Sequence, residues 1–269
     1  MNIGFWNVNR KDLDELVAEF AQAKTLDVVI LAENGDSNAK RTLGVLQGTV
    51  DAEFSYPGCT SNRLQVFVRR ETFGLAEAFA DCGGRLSIRR MTTSWGEVSL
   101  AIVHLPSKVN YSDSSQSQYS QDVARLVANY EARVQHSRTI VVGDFNMNPF
   151  ETGVVGAGGF HSSMRLADAK EGRTVLGEHY RFYYNPMWSM MGDRSAGPPG
   201  THYYRNAEHV SYDWNMFDQV LLRPEIADRL TGVEIATSVG SLALATPAGR
   251  PDKRNASDHF PLSFSLRAV

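Results

Sequence analysis

The sequence predicts an α/β fold built from mixed sheets with helices on the outside. Short apolar runs of strand length are interspersed with a few stretches of helical period. Six of those runs are bounded by Asn, Glu, His or Asp. Some of these polar groups follow their run and others precede it. If they share one site, neighbouring strands must point in opposite directions. A doubly wound parallel sheet or a (β/α)8 barrel gathers its site at strand C-termini only, so both are excluded.

In order, residues 2–8 (NIGFWNV) form the first strand, in which Asn7 follows Trp6. Residues 12–24 carry Leu13, Leu16, Val17 and Phe20 at the spacing of one helix face. Residues 27–32 make a buried strand that ends at Glu33, and residues 63–70 and 86–90 are further strands. Residues 98–103 lead into His104. The polar, Ser-rich stretch 110–121 is expected to be a loop running into a helix over 121–134. Residues 139–142 form a short apolar strand before Gly143-Asp144. Asp218 opens the strand 219–222, and Ser257-Asp258-His259 stands before the last strand, 260–266. Between residues 185 and 214, Gly192, Gly197, Pro198, Pro199 and Gly200 mark a long loop studded with Trp188, Tyr203, Tyr204, Tyr212 and Trp214. Aromatics argue against disorder there, and a long loop in a compact chain is usually functional. The candidate positions span residues 7–259 without a repeat or linker, so residues 1–269 read as a single domain.

Its 269 residues, 42 % hydrophobic and 21 % charged, suffice for a substantial core. Two cysteines, Cys59 and Cys82, are too few for a cysteine-rich zinc site and suit a reducing compartment. The formal charge of -3 lacks the basic excess of a protein that grips duplex DNA by charge. The pattern of a signal peptide is not visible, and the longest strongly apolar run, 28–32, is far short of a membrane span. The expectation is a soluble cytoplasmic protein.

The residue types at the strand tips suggest a reaction. Carboxylate and amide oxygens suit Mg²⁺ or Mn²⁺ better than zinc. Histidines near carboxylates can stabilise charge on a phosphorane or protonate a leaving oxygen, and a spare Asp can polarise water. Together these make metal-assisted phosphoester hydrolysis.

Phe5-Trp6-Asn7-Val8-Asn9, Ile30-Leu31-Ala32-Glu33, Val142-Gly143-Asp144-Phe145-Asn146, Phe217-Asp218-Gln219 and Ser257-Asp258-His259-Phe260-Pro261 resemble, in order, the motifs of the endonuclease/exonuclease/phosphatase family, the relatives of DNase I and exonuclease III. His104-Leu105-Pro106-Ser107-Lys108 is similar to the second-histidine motif of the DNase I-like branch, and Gly200-Thr201-His202-Tyr203-Tyr204 to a weaker Thr-aromatic motif. The resemblance implies a DNase I-like sandwich of two mixed sheets. It implies Glu33 as the main metal ligand with Asn7 and Asp258 nearby. It also implies Asp144 as base, Asn146 as phosphate ligand, Asp218 orienting His259, and His104 as second histidine. A supporting Glu expected near residues 63–69 is replaced by Arg63.

Arg63, Tyr203 and Trp188 are the candidate substrate contacts. Each residue also has a plainer reading. Gly-Asp-x-Asn alone fits any tight turn, Asn7 could pin a loop, Asp218 could cap a strand, and His104 could be a satisfied core histidine. Lys108 reads as solvated, and His136, His161, His179, His202 and His209 as surface or loop residues. The leading expectation is a nuclease, exo- or endonucleolytic, acting on single-stranded or open nucleic acid. The alternative is a phosphatase or phosphodiesterase acting on a small nucleotide, inositol phosphate or lipid head group. A binding protein with a decayed site is disfavoured by the full set of Glu33, Asp144, Asn146, Asp258 and His259.

Overall fold

The computed structural model describes residues 1–35, 38–50, 53–70 and 74–268. Two large mixed sheets are present, one of six strands and one of seven. In the first, Asn2–Asn7 lies between Val28–Ala32, to which it is parallel, and Leu262–Leu266, to which it is antiparallel. In the second, Gly96–His104 runs parallel to Thr139–Asp144, and Asp218–Leu222 runs antiparallel to both. The mixed directions expected from the strand tips are therefore those observed.

Alternation within strands explains the layering. Ile140 and Val142 belong to the core between the sheets, together with Leu100, Ile102 and Val220, whereas Val141 joins Val103 and Leu221 beneath the helix Asp113–Val134. The first sheet is covered outside by the helix Asp14–Ala23, whose Val17 and Phe20 enter the same core as Phe5 and Ile30. Burying each such side chain contributes about 1.5–3 kcal/mol, so strand positions, and the groups at their tips, are firmly held.

Local departures from the expected elements have physical causes. The helix Asp113–Val134 begins eight residues before the expected 121. Its buried face there is made by Gln116 and Ser120 rather than by apolar groups, and Ser112 caps it by accepting from the Ser115 backbone N–H. Gln116 holds that turn down by donating from Nε2 to the carbonyls of Pro106 and Asn146. The helix Ala39–Thr49 had no expectation at all. Gly44 and Gly48 weaken its propensity, and Thr42 and Arg41 tie it to Asp14 of the preceding helix. A strand, Gly74–Asp81, pairs with Leu86–Thr93, which runs three residues beyond the expected Arg90. The 185–214 stretch is partly ordered by a 3₁₀ turn, Pro186–Met190, and by the pairing of His202–Tyr203 with Trp214–Asn215.

Candidate active site

Pairing registers bring the tips together. Asn7 lies opposite Ala32, so the first sheet delivers Asn7 and Glu33 side by side. His104 and Asp218 both lie opposite Asp144 in the second. Gly143 makes this approach feasible: at its φ of 150°, a Cβ would sit 1.9 Å from the Val103 carbonyl oxygen. The two sheets meet at their tips through Asn7, whose Nδ2 donates to Asp144 Oδ2 at 3.0 Å. Ser257 donates to the Asn7 carbonyl at 2.6 Å, and Trp6 Nε1 donates to the His259 carbonyl at 2.8 Å. Those bonds dock the segment before the last strand against the first.

A cavity of about 950 Å³ opens over these tips, and Asn7, Glu33, Asp144, Asn146, Asp258 and His259 line it. His259 Nδ1 is 2.7 Å from Asp218 Oδ2, and Asp218 is fully buried. Burial alone would lower the His259 pKa, but the Asp218 charge and hydrogen bond, with Asp144 and Asp258, push it up to about 10. The ring is thus a cation whose Nε2 is left for a ligand. Asp144 accepts from the Asn146 backbone N–H at 2.8 Å as well as from Asn7. Burial raises its pKa, and the neighbouring Asp218 adds to that rise against the pull of His259 and His104.

Glu33 sits at a positive φ of 57° just past its strand. Its Oε1 is 3.3 Å from His104 Nε2. That hydrogen bond, outweighing burial and aided by Arg10 and Asn7, holds its pKa at about 2. His104 therefore takes its acidic partner from Glu33, in place of the missing Glu near Arg63. The other ring nitrogen, Nδ1, has no hydrogen-bond partner among the described residues.

The donor set suits a hard divalent cation. Glu33 is an anion at any ordinary pH, and Asp258 and the Asn7 amide add oxygen in the same cavity. Asp144, Asp218 and His259 also cluster tightly enough to hold an ion. The short Asp218–His259 bond occupies one ligand atom of each of those two residues, which leaves Asp144 as the member of that cluster outside the bond.

Several expectations need correction. His202 is not a loop-surface residue: it stacks on Phe217 at 5.3 Å, lies 4.7 Å from the His259 ring, and its Nε2 is 3.9 Å from Asp258. Burial and the charge of His259 lower its pKa to about 4. His161 is buried and stacked on Phe182, 3.8 Å between centroids. Lys108 keeps 31 % of its side chain exposed but is also paired: its ammonium contacts Asp113, Gln116 and Glu151. Trp188, Tyr203 and Arg63 are not among the residues lining the cavity. Trp188 packs near Phe150, and Tyr203 lies against Trp214 and beneath the Arg250 guanidinium. The aromatic walls are Phe150, Tyr204 and Tyr212. Thr201, expected only as part of a weak motif, accepts from the Asp218 N–H at 3.1 Å and so fixes the residue that fixes His259.

Comparison with known proteins agrees with this fold. The profile of the Endonuclease/Exonuclease/phosphatase family matches residues 4–259. No curated protein matches the chain. Among solved structures, truncated Caenorhabditis elegans TDP2 superposes with a TM-score of 0.57 at 15 % identity, covering 99 % of this chain and 97 % of that one. D. rerio TDP2 complexed with single strand DNA product gives 0.59 at 17 % identity, covering 100 % and 99 %. The endonuclease domain of TRAS1, a telomere-specific non-LTR retrotransposon, gives 0.55 at 12 % identity, covering 99 % and 97 %. At such identities these likenesses show a shared DNase I-like fold. Among the described residues, no helix is long and apolar enough to cross a membrane.

Proposed function

The chain belongs to the endonuclease/exonuclease/phosphatase family, and from that premise and the site above we propose that it is a Mg²⁺- or Mn²⁺-dependent phosphodiesterase. Its best-supported role is as a nuclease on single-stranded or open nucleic acid, with residues 1–269 acting as one unit. One observation carries the reading. A cationic imidazole, locked at 2.7 Å by a fully buried carboxylate, shares a cavity with Asp144 and with the anionic Glu33. That combination suits a reaction in which water is deprotonated while negative charge grows on phosphate oxygens.

Glu33, Asn7 and Asp258 would hold the divalent ion, which supplies Lewis-acid polarisation of a phosphate oxygen when bound. Asp144, steered by Asn7 and the Asn146 N–H, takes the proton of the attacking water. His259 stabilises the phosphate oxygens from Nε2, while Asp218 and Thr201 hold it. Asn146 spends one amide hydrogen on the Leu105 carbonyl and has a second for the phosphate. His104 is not among the residues lining the cavity; set behind Glu33 at 3.3 Å, it orients that carboxylate and is the proposed source of the leaving oxygen's proton. Tyr204 and Tyr212 offer faces on which an unpaired base can stack. The single-strand DNA product in the D. rerio TDP2 structure supports the choice of nucleic acid.

The test is a substrate panel in Mg²⁺, Mn²⁺ and EDTA: single- and double-stranded DNA, RNA, a dinucleoside monophosphate and a small phosphomonoester. Metal-dependent cleavage of single strands above duplex is expected. Turnover of the monoester alone would replace the nuclease reading with a small-molecule phosphatase.

A further inference from the structure

We infer that the cleft makes electrostatic contact with one phosphate of its substrate and holds the rest by uncharged surface. Its substrate class is then a short or chain-terminal phosphodiester with a nucleobase or similar flat group beside it, not a long tract of polyanion. This rests on the phosphodiesterase reading above.

The charges around the cavity carry the argument. Among the described residues its lining contains the acids Glu33, Asp113, Asp144, Glu151 and Asp258, and a single residue from the Lys/Arg class, Lys108. Lys108 is committed. It lies 3.0 Å from Asp113 and 3.1 Å from the Gln116 amide oxygen, and it also binds Glu151. Burial would lower its pKa, yet Glu151 and Asp113 raise it. An ammonium has three donors, and here three acceptors take them.

Cations close by are engaged in the same way. Arg10 is 3.4 Å from Glu33, Lys11 donates to the carbonyls of Lys253 and Ala256, and Arg205 is held by Asp213. Lys253 and Arg254 stand on an exposed turn outside the lining. Lys253 is near enough to act on His202 at the cavity edge, but a second or third backbone phosphate inside the lining itself would meet carboxylates rather than guanidinium groups.

The walls have a different chemistry. Val109, Val210, Tyr204 and Tyr212 line the cavity and are 87 %, 72 %, 59 % and 56 % exposed. Phe150 supports Tyr212 edge-to-face at 5.2 Å. Asn9, Asn206 and Asn215 add uncharged donors and acceptors. Such walls bind a base or an aromatic ester group without regard to ionic strength. The volume suits a ligand of dinucleotide size.

Each phosphate neutralised on a single strand steepens the dependence of log K on log salt by about 0.7. One contact predicts a shallow slope; a groove tracking six phosphates predicts about -4. The experiment measures kcat/KM per bond for oligothymidylates from the dinucleoside monophosphate to about 24 nucleotides, at fixed Mn²⁺ and between about 50 and 300 mM KCl. We expect the shortest and longest substrates to agree within about fivefold and the slope to be no steeper than about -1.5. A rise with length above about thirtyfold, or a slope near -3 or steeper for the long substrate, would overturn the inference. Val210→Lys, which adds a free cation to the wall, should introduce the length dependence that the wild type lacks. If no ester turns over, the phosphodiesterase reading fails by itself, and equilibrium binding of the long oligonucleotide over the same salt series still decides the number of contacts.

Discussion

Two imidazoles are buried near opposite ends of the strand Asp218–Leu222, and their surroundings push them in opposite directions. His259 is 7 % exposed and His161 is 2 % exposed, so burial penalises the charged form of both. At the Asp218 end, His259 faces Asp218, Asp144 and Asp258, and its pKa rises to about 10. At the Leu222 end, where the Tyr183 backbone N–H donates to the His161 carbonyl, burial and the charges of Arg173 and Arg223 bring His161 down to about 4. Desolvation is common to the two; the sign of the neighbouring charge decides. The acid-rich end places the His259 cation beside Asp144 and Asp258, and it is there that the strand tips of both sheets converge.

The largest effect expected from that difference is on rate. His259→Ala and Asp144→Asn should each lower kcat by about 10² to 10⁴ with a smaller change in KM. Near-wild-type kcat in the His259 variant would remove the comparison's catalytic half. Glu33→Gln should abolish metal-dependent turnover by a similar factor, about 10² or more, while its melting temperature stays close to wild type, since the carboxylate is partly exposed. Activity that persists in EDTA would speak against the ion altogether.

Next in size is the second histidine. If His104 protonates the leaving oxygen, His104→Ala should slow a sugar-alkoxide leaving group by about 10² and leave a nitrophenyl ester nearly untouched. Equal losses on both esters would assign His104 to structure or phosphate binding.

Stability against pH tests the other end of the strand. The unfolded chain protonates His161 near its ordinary value of 6.5, and the folded chain only near 4. Between those values the unfolded state holds the extra proton, so stability falls as pH falls through that window, by roughly 2 kcal/mol. His259 has the opposite sign: its contribution is complete below 6.5 and is lost as pH rises through about 10. Melting temperatures from acid to alkaline pH should show a flatter acid limb in His161→Phe than in wild type. An unchanged acid limb would show that His161 does not control it. The smallest effect is expected at the rim, where Tyr212→Ala should raise KM for a single strand about fivefold or more with kcat preserved, the loss of one stacking contact. A fall in kcat alone would place Tyr212 elsewhere in the cycle.

The sequence by itself determined the strands that carry the site, their mixed directions and the set of polar groups at their tips, though not the strands Gly74–Asp81 and Leu230–Ile235. Those are local: an apolar run of Thr139 to Val142 must be buried, and a Gly-Asp pair at its end must turn. Their order along the chain was enough to point to the family. Only the tertiary structure decided which groups touch. That Glu33 reaches His104, that Thr201 braces Asp218, and that His202 lies beside His259 follow from packing between segments far apart in sequence. The same holds for Lys108, whose partners Asp113 and Glu151 sit on different elements. The aromatic wall shows the limit most clearly. Trp188 and Tyr203 looked equivalent to Tyr204 and Tyr212 in a loop without period, yet alternation in the short strand His202–Tyr203 and contact with Trp214 turn Tyr203 away from the cavity. A chain's own pattern fixes which face of an element is apolar; it does not fix what that face will meet.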